Sequence, residues 1–112
     1  MRSTEVVDCM ELPPGSLVEV ETKHRIYRVE CLGGSAIRIS GHPEHCPTPV
    51  LGQLKGSANE GEPLEAGGVI GCGRRLEFFL ENRGILLTTK VISVRVEPAT
   101  AAPAQPSTRR AA

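Results

Sequence analysis

The apolar residues of this chain recur at every second position, and glycine or proline repeatedly cuts the alternation. The clearest run is "LVEVET", followed two residues later by "RIYRVE". No long stretch carries the i, i+3, i+4 spacing of an amphipathic helix. A period of two sends successive side chains to opposite faces of an extended strand. The pattern therefore restricts the chain to antiparallel sheet with one buried and one wetted face.

Five segments read as strands: residues 16–22, 25–32, 35–40, 74–81 and 85–97, the last as one bent strand or two short ones. An even turn centred on Lys23-His24 sets Val20 against Tyr27, Val18 against Val29 and Glu19 against Arg28. One face is then apolar and the other carries an opposed ion pair. A three-residue loop, Gly33-Gly34-Ser35, sets Cys31 against Ile37, Val29 against Ile39 and Glu30 against Arg38. In the fourth segment Leu76, Phe78 and Leu80 share the inner face, and Phe79 points outward. A turn at Asn82-Arg83-Gly84 sets Leu80 against Leu86. The apolar phase slips after Thr88-Thr89-Lys90, which predicts a bulge or bend.

With 112 residues, no Trp, one Tyr and two Phe, the chain has material for one core built mainly of Val, Ile and Leu. Residues 1–11 read as a loosely ordered N-terminus and 12–97 as the β domain. Residues 98–112, "PATAAPAQPSTRRAA", read as a disordered tail, because nothing bulky and apolar is there to bury. Between the third and fourth strands, residues 41–68 read as one long loop, with a short strand around 50–54 as the alternative. The expected fold is all-β, a small partly open antiparallel barrel of five or six strands.

Thirteen basic and thirteen acidic residues balance to zero net charge. A nucleic-acid binder draws most of its affinity from a basic excess, and stacking aromatics are scarce here. The N-terminus lacks the apolar run of a signal peptide, and no window is long enough to span a bilayer. The expectation is a cytoplasmic protein with reduced thiols and no membrane partner. Its four cysteines include no C-x-x-C pair, and no cofactor is expected.

The segment "GHPEHCPTP" gathers His42, His45 and Cys46, all legitimate zinc ligands. A fourth could come from Cys31 or Cys72 if the fold brings it near. Adjacent residues such as His45 and Cys46 face opposite ways in extended backbone, so the bland reading is a loop stiffened by Pro43, Pro47 and Pro49. A nucleophilic Cys46 would need a base and an orienting group, and the chain's one aspartate is Asp8. "GGVIGCGRR" resembles a phosphate loop only in its glycines, since these run into a strand and not a helix. Arg74, Arg75 and Arg83, with Arg109-Arg110, are the residues a nucleic-acid-binding barrel would use. The register instead pairs Arg28 and Arg38 with glutamates. The R-x-x-x-R and [DN]-x-S-x-x-G signatures of PilZ-type cyclic-dinucleotide receptors are missing from their required arrangement.

The segment "GSANEGEPLEAGGVIGCGRRLEFFLENRGILLTTKVISVRV" resembles small uncharacterised bacterial all-β proteins. In those a glycine-rich loop leads into an I-G-x-G-x-x-L-E-F-like strand, and a T-[ST]-x-V-x-x-[IV] strand closes the chain. The resemblance implies a small β fold; it brings no activity and no site residues. Residue chemistry and pattern together point to a non-enzymatic interaction or assembly module that binds a protein partner or itself. Phe79 and the loop 41–68 are its contact candidates. A nucleic-acid-binding barrel and a zinc-binding loop protein are the alternatives.

Overall fold

A computed structural model describes residues 2–4, 6–59 and 61–97. Its strands are β1 (Arg2–Thr4), β2 (Val6–Asp8), β3 (Leu17–Thr22), β4 (Ile26–Gly33), β5 (Ala36–Ser40) and β6 (Val50–Asn59). They continue as β7 (Glu65–Ala66), β8 (Val69–Gly71), β9 (Arg74–Leu80), β10 (Gly84–Leu87) and β11 (Val91–Glu97). The described residues contain no α-helix, only a 3-10 turn at Cys9–Glu11. Nine strands form one antiparallel sheet along the path β1-β11-β3-β4-β5-β6-β9-β10, with β7 also paired to β6. β2 and β8 form a separate two-stranded sheet.

The path ends at β1 and β10, which are not paired with each other, so the sheet is open rather than a closed barrel. The strand count also exceeds the five or six expected. Inward stripes from β3, β4, β5, β6, β9 and β11 meet in one core, with Val18, Val29, Ile39, Leu54, Phe78 and Val94 essentially inaccessible. Ile70 of β8 is equally buried in that core. Each such side chain contributes on the order of 2 kcal/mol through burial.

The β3–β4–β5 meander has the expected register throughout: Val20 opposite Tyr27, Glu19 opposite Arg28, Cys31 opposite Ile37 and Glu30 opposite Arg38. The outward ion pairs follow, Arg38–Glu30 at 2.7 Å and Arg28–Glu19 at 3.7 Å, with Arg95 of β11 reaching the same Glu19 at 3.3 Å. The tip differs from the expected three-residue loop. Gly33 pairs with Ala36, leaving Gly34-Ser35 as the turn, and a bulge between Cys31 and Gly33 absorbs the extra residue. The break after Thr88-Thr89-Lys90 is real, and β11 carries a bulge between Val91 and Ser93.

Four further expectations need correction. The long loop 41–68 contains β6, a ten-residue strand in the middle of the sheet, and the short β7. The alternative of a short strand around 50–54 meets only the first half of β6, because two of its inward positions, Gly52 and Gly56, carry no side chain and break the apolar stripe. The β9–β10 turn is Glu81-Asn82-Arg83; Gly84, at φ 87°, pairs with Leu80, and Leu86 pairs with Phe78. That slip is two residues, so every side chain keeps its face. Residues 6–9 of the segment expected to be loose are held in the fold: β2 pairs with β8, and Cys9 is buried with its amide donating to the Gly68 carbonyl at 2.8 Å. Cys9 and Cys31 form a disulfide, their Cα atoms 6.1 Å apart, which corrects the expectation of reduced thiols throughout. The tail 98–112 lies outside the described residues.

Candidate functional site

Residues 41–46 leave β5 and turn back on themselves. The Gly41 amide donates to the Cys46 carbonyl at 2.9 Å, and the Cys46 amide to the His42 carbonyl at 3.0 Å. Inside that turn the His42 Nδ1 accepts the amides of Glu44 at 3.1 Å and His45 at 3.2 Å. The imidazole thus caps its own loop, as Asn or Asp does in many turns. The rings of His42 and His45 meet edge to face, 4.4 Å between centroids. The loop is fastened to the β9–β10 turn by Asn82 Nδ2 on the His45 carbonyl at 3.2 Å and an Arg83 guanidinium nitrogen on the Glu44 carbonyl at 3.3 Å.

This geometry brings His42, His45 and Cys46 together without making a metal centre of them. Accepting two amides occupies Nδ1 of His42. Cys46 is fully buried, and burial pushes its thiol above its ordinary pKa, against a smaller opposing effect of a backbone hydrogen bond at His42. A protonated buried thiol is neither a good ligand nor a good nucleophile. Cys31, the proposed completing ligand, is bonded to Cys9, and Cys72 is exposed elsewhere, its thiol on the Ile92 carbonyl. Among the described residues no group of three or more His, Cys, Asp or Glu side chains is placed to hold a metal ion. His45 Nδ1 is buried without a hydrogen-bond partner.

Burial, nearby Arg25 and the His45 ring push the His42 pKa below that of a free histidine, against a weaker pull from Glu44. With Nδ1 accepting, the neutral ring carries its proton on Nε2 and presents a donor there. Tyr27, buried beneath, has its phenol pushed up by desolvation, with Arg25 pulling the other way.

The arginines are not a free basic patch. Arg74 bonds Glu65 at 2.8 Å and Ser57 Oγ at 2.8 Å, Arg75 reaches the Thr88 carbonyl, and Arg83 holds the loop just described. Phe79 does point outward, 45 % exposed, and it has company that the sequence reading overlooked. Ile85 lies directly across from it on β10 at 62 % exposure, Leu87 follows on the same face at 52 %, and Leu51 of β6 adds 43 %. Period-two reading of 84–87 as a pair to β9 would have put Ile85 and Leu87 outward. No helix among the described residues is long and apolar enough to cross a membrane. No protein-family model matches the chain, and neither does any curated protein or solved structure compared with it.

Proposed function

We propose that this chain is a non-enzymatic interaction module that associates with a second copy through the outward face of β6, β9 and β10. The observation that carries this reading is the group Leu51, Phe79, Ile85 and Leu87, four large apolar side chains exposed on neighbouring strands. Solvated strand faces usually carry polar residues, and grouped exposed apolar side chains mark contact surfaces. The surround holds both signs, Lys55 and Arg75 beside Glu77 and Glu81, as a self-complementary two-fold contact requires. β10 also ends the sheet, adding main-chain groups at the margin of the patch.

The nucleic-acid reading is disfavoured because Arg74, Arg75 and Arg83 are occupied within the chain. The zinc reading is disfavoured by the occupied Nδ1 of His42 and the buried Cys46.

Light scattering coupled to size exclusion, run from micromolar to millimolar protein, tests the proposal. The parent should show a concentration-dependent dimer. Phe79→Glu and Ile85→Glu should abolish it while leaving the unfolding temperature unchanged. A parent that stays monomeric throughout, or a dimer indifferent to both substitutions, overturns the reading.

A further inference from the structure

The β3–β4 hairpin tip and the β10–β11 connection face each other across a cleft of about 210 Å³. Its lining includes Arg25, His24, His42, Tyr27, Leu87 and Thr89, and no lining residue is acidic. Three side chains that carry or can acquire positive charge therefore converge on a small concavity with apolar walls.

The state of Arg25 separates this cleft from a chance gathering. Arg28, Arg38, Arg74 and Arg95 each hold a glutamate, and Arg75 and Arg83 each hold a carbonyl. Among the described arginine side chains, Arg25 alone has neither kind of partner; its guanidinium donates a hydrogen bond to the Tyr27 hydroxyl and holds no carboxylate. Glu21, which borders the adjoining cleft with Arg25, is engaged as acceptor of the Ser93 hydroxyl at 3.1 Å. The main chain of Arg25 is fixed independently of its side chain. Its amide donates to Thr22 Oγ1, and its carbonyl accepts from the Thr22 amide at 2.8 Å.

His42 contributes the second observation. Because its Nδ1 is spent on the loop amides, the nitrogen left over is an N–H donor. A half-buried guanidinium without a carboxylate, beside an imidazole fixed as a donor, is complementary to an oxyanion. Leu86 and Leu87 on the opposite wall suit an apolar body attached to that group.

We propose that this cleft binds a small organic oxyanion, its phosphate or carboxylate group on Arg25 and His42 and its apolar part against Leu86 and Leu87. The site is distinct from the proposed self-association face except at Leu87, which borders both.

Heteronuclear NMR of the intact chain tests this, titrating inorganic phosphate, phenyl phosphate and benzoate at constant ionic strength with chloride as the reference. Saturable shifts at Arg25 and the His42 ring are expected, tighter for phenyl phosphate than for inorganic phosphate. Comparison with benzoate tells a phosphate preference from a carboxylate one. Arg25→Gln should weaken binding by about tenfold or more, and Arg25→Lys by less, because the ammonium keeps charge but loses the planar fork. Arg38→Gln, on the outward face of β5, should leave binding unchanged. If no probe beyond chloride gives saturable shifts, or if Arg25→Gln binds as the parent does, the proposal is overturned.

Discussion

Gly52→Ala adds one methyl group to the inner face of β6. A Cβ at that position would stand well inside contact distance of the Phe79 carbonyl oxygen and 3.2 Å from Leu80 Cα. Both are main-chain atoms of β9, so no rotamer change makes room; the two strands must move apart. Overpacking of this kind costs about 1–3 kcal/mol. Alanine also stiffens the unfolded chain, which returns about 0.4–1 kcal/mol. The net expectation is a loss of about 1–2 kcal/mol, or a drop in unfolding temperature of about 5–15 °C for a domain of this size. Thermal unfolding followed by circular dichroism measures it. Gln53→Ala, one residue on and facing solvent, should change stability by less than about 0.5 kcal/mol. If Gly52→Ala unfolds at or above the parent temperature, β6 does not depend on close approach to β9. The physical account of its missing apolar stripe then fails.

Removing the Cys9–Cys31 bond by double substitution to alanine opens a loop spanning 22 residues. The chain-entropy relation gives a loss of about 3 kcal/mol, read as a fall of about 15 °C in unfolding temperature. Thiol titration of the denatured, unreduced protein should find Cys46 and Cys72 alone. In the native protein at mildly alkaline pH, Cys72 should react with a water-soluble disulfide reagent and Cys46 should not, as peptide mapping of the product will show. The folded His42 pKa lies below its unfolded value, so the fold favours the neutral ring. The loop is accordingly unaffected above about pH 6.5 and loses stability as pH falls below it, most steeply between the two pKa values. A fall in the protection factors of the Glu44 and His45 amides on acidification, taken relative to the base-catalysed intrinsic exchange rate, checks this; protection that rises contradicts it.

The meander β3–β4–β5 was legible because its pattern is doubly constrained. Val18, Val20, Val29, Ile37 and Ile39 fix the inner face, and Glu19, Arg28, Glu30 and Arg38 fix the partners on the outer one. A register that satisfies both is hard to mistake. β6 was legible only as a short strand around 50–54, because Gly52 and Gly56 interrupt an inner stripe that Val50 and Leu54 alone supply with apolar side chains. The Cys9–Cys31 pairing depends on the N-terminal segment crossing to β4, a tertiary fact that spacing along the chain does not encode. At "GHPEHCPTP" the sequence gives residue types that metals and nucleophiles share. What decides between roles is a hydrogen bond, His42 Nδ1 accepting two amides, which no spacing rule encodes. Parity alone marks Phe79 as outward, whereas Arg25 is set apart only by tertiary contacts, those that engage Arg28, Arg38, Arg74, Arg75, Arg83 and Arg95 elsewhere.

The inner glycines of β6 have a further effect on how freely this protein can vary. At positions 52 and 56 an added Cβ would press on main-chain atoms of a neighbouring strand, whereas Leu51, Gln53 and Lys55 between and beside them project outward from one of the best-anchored strands. β6 is thus a rigid rack with two interchangeable pegs, Gln53 and Lys55, beside Leu51 of the proposed contact face. New recognition could be installed there by exchanging the pegs, leaving the interior of the molecule untouched.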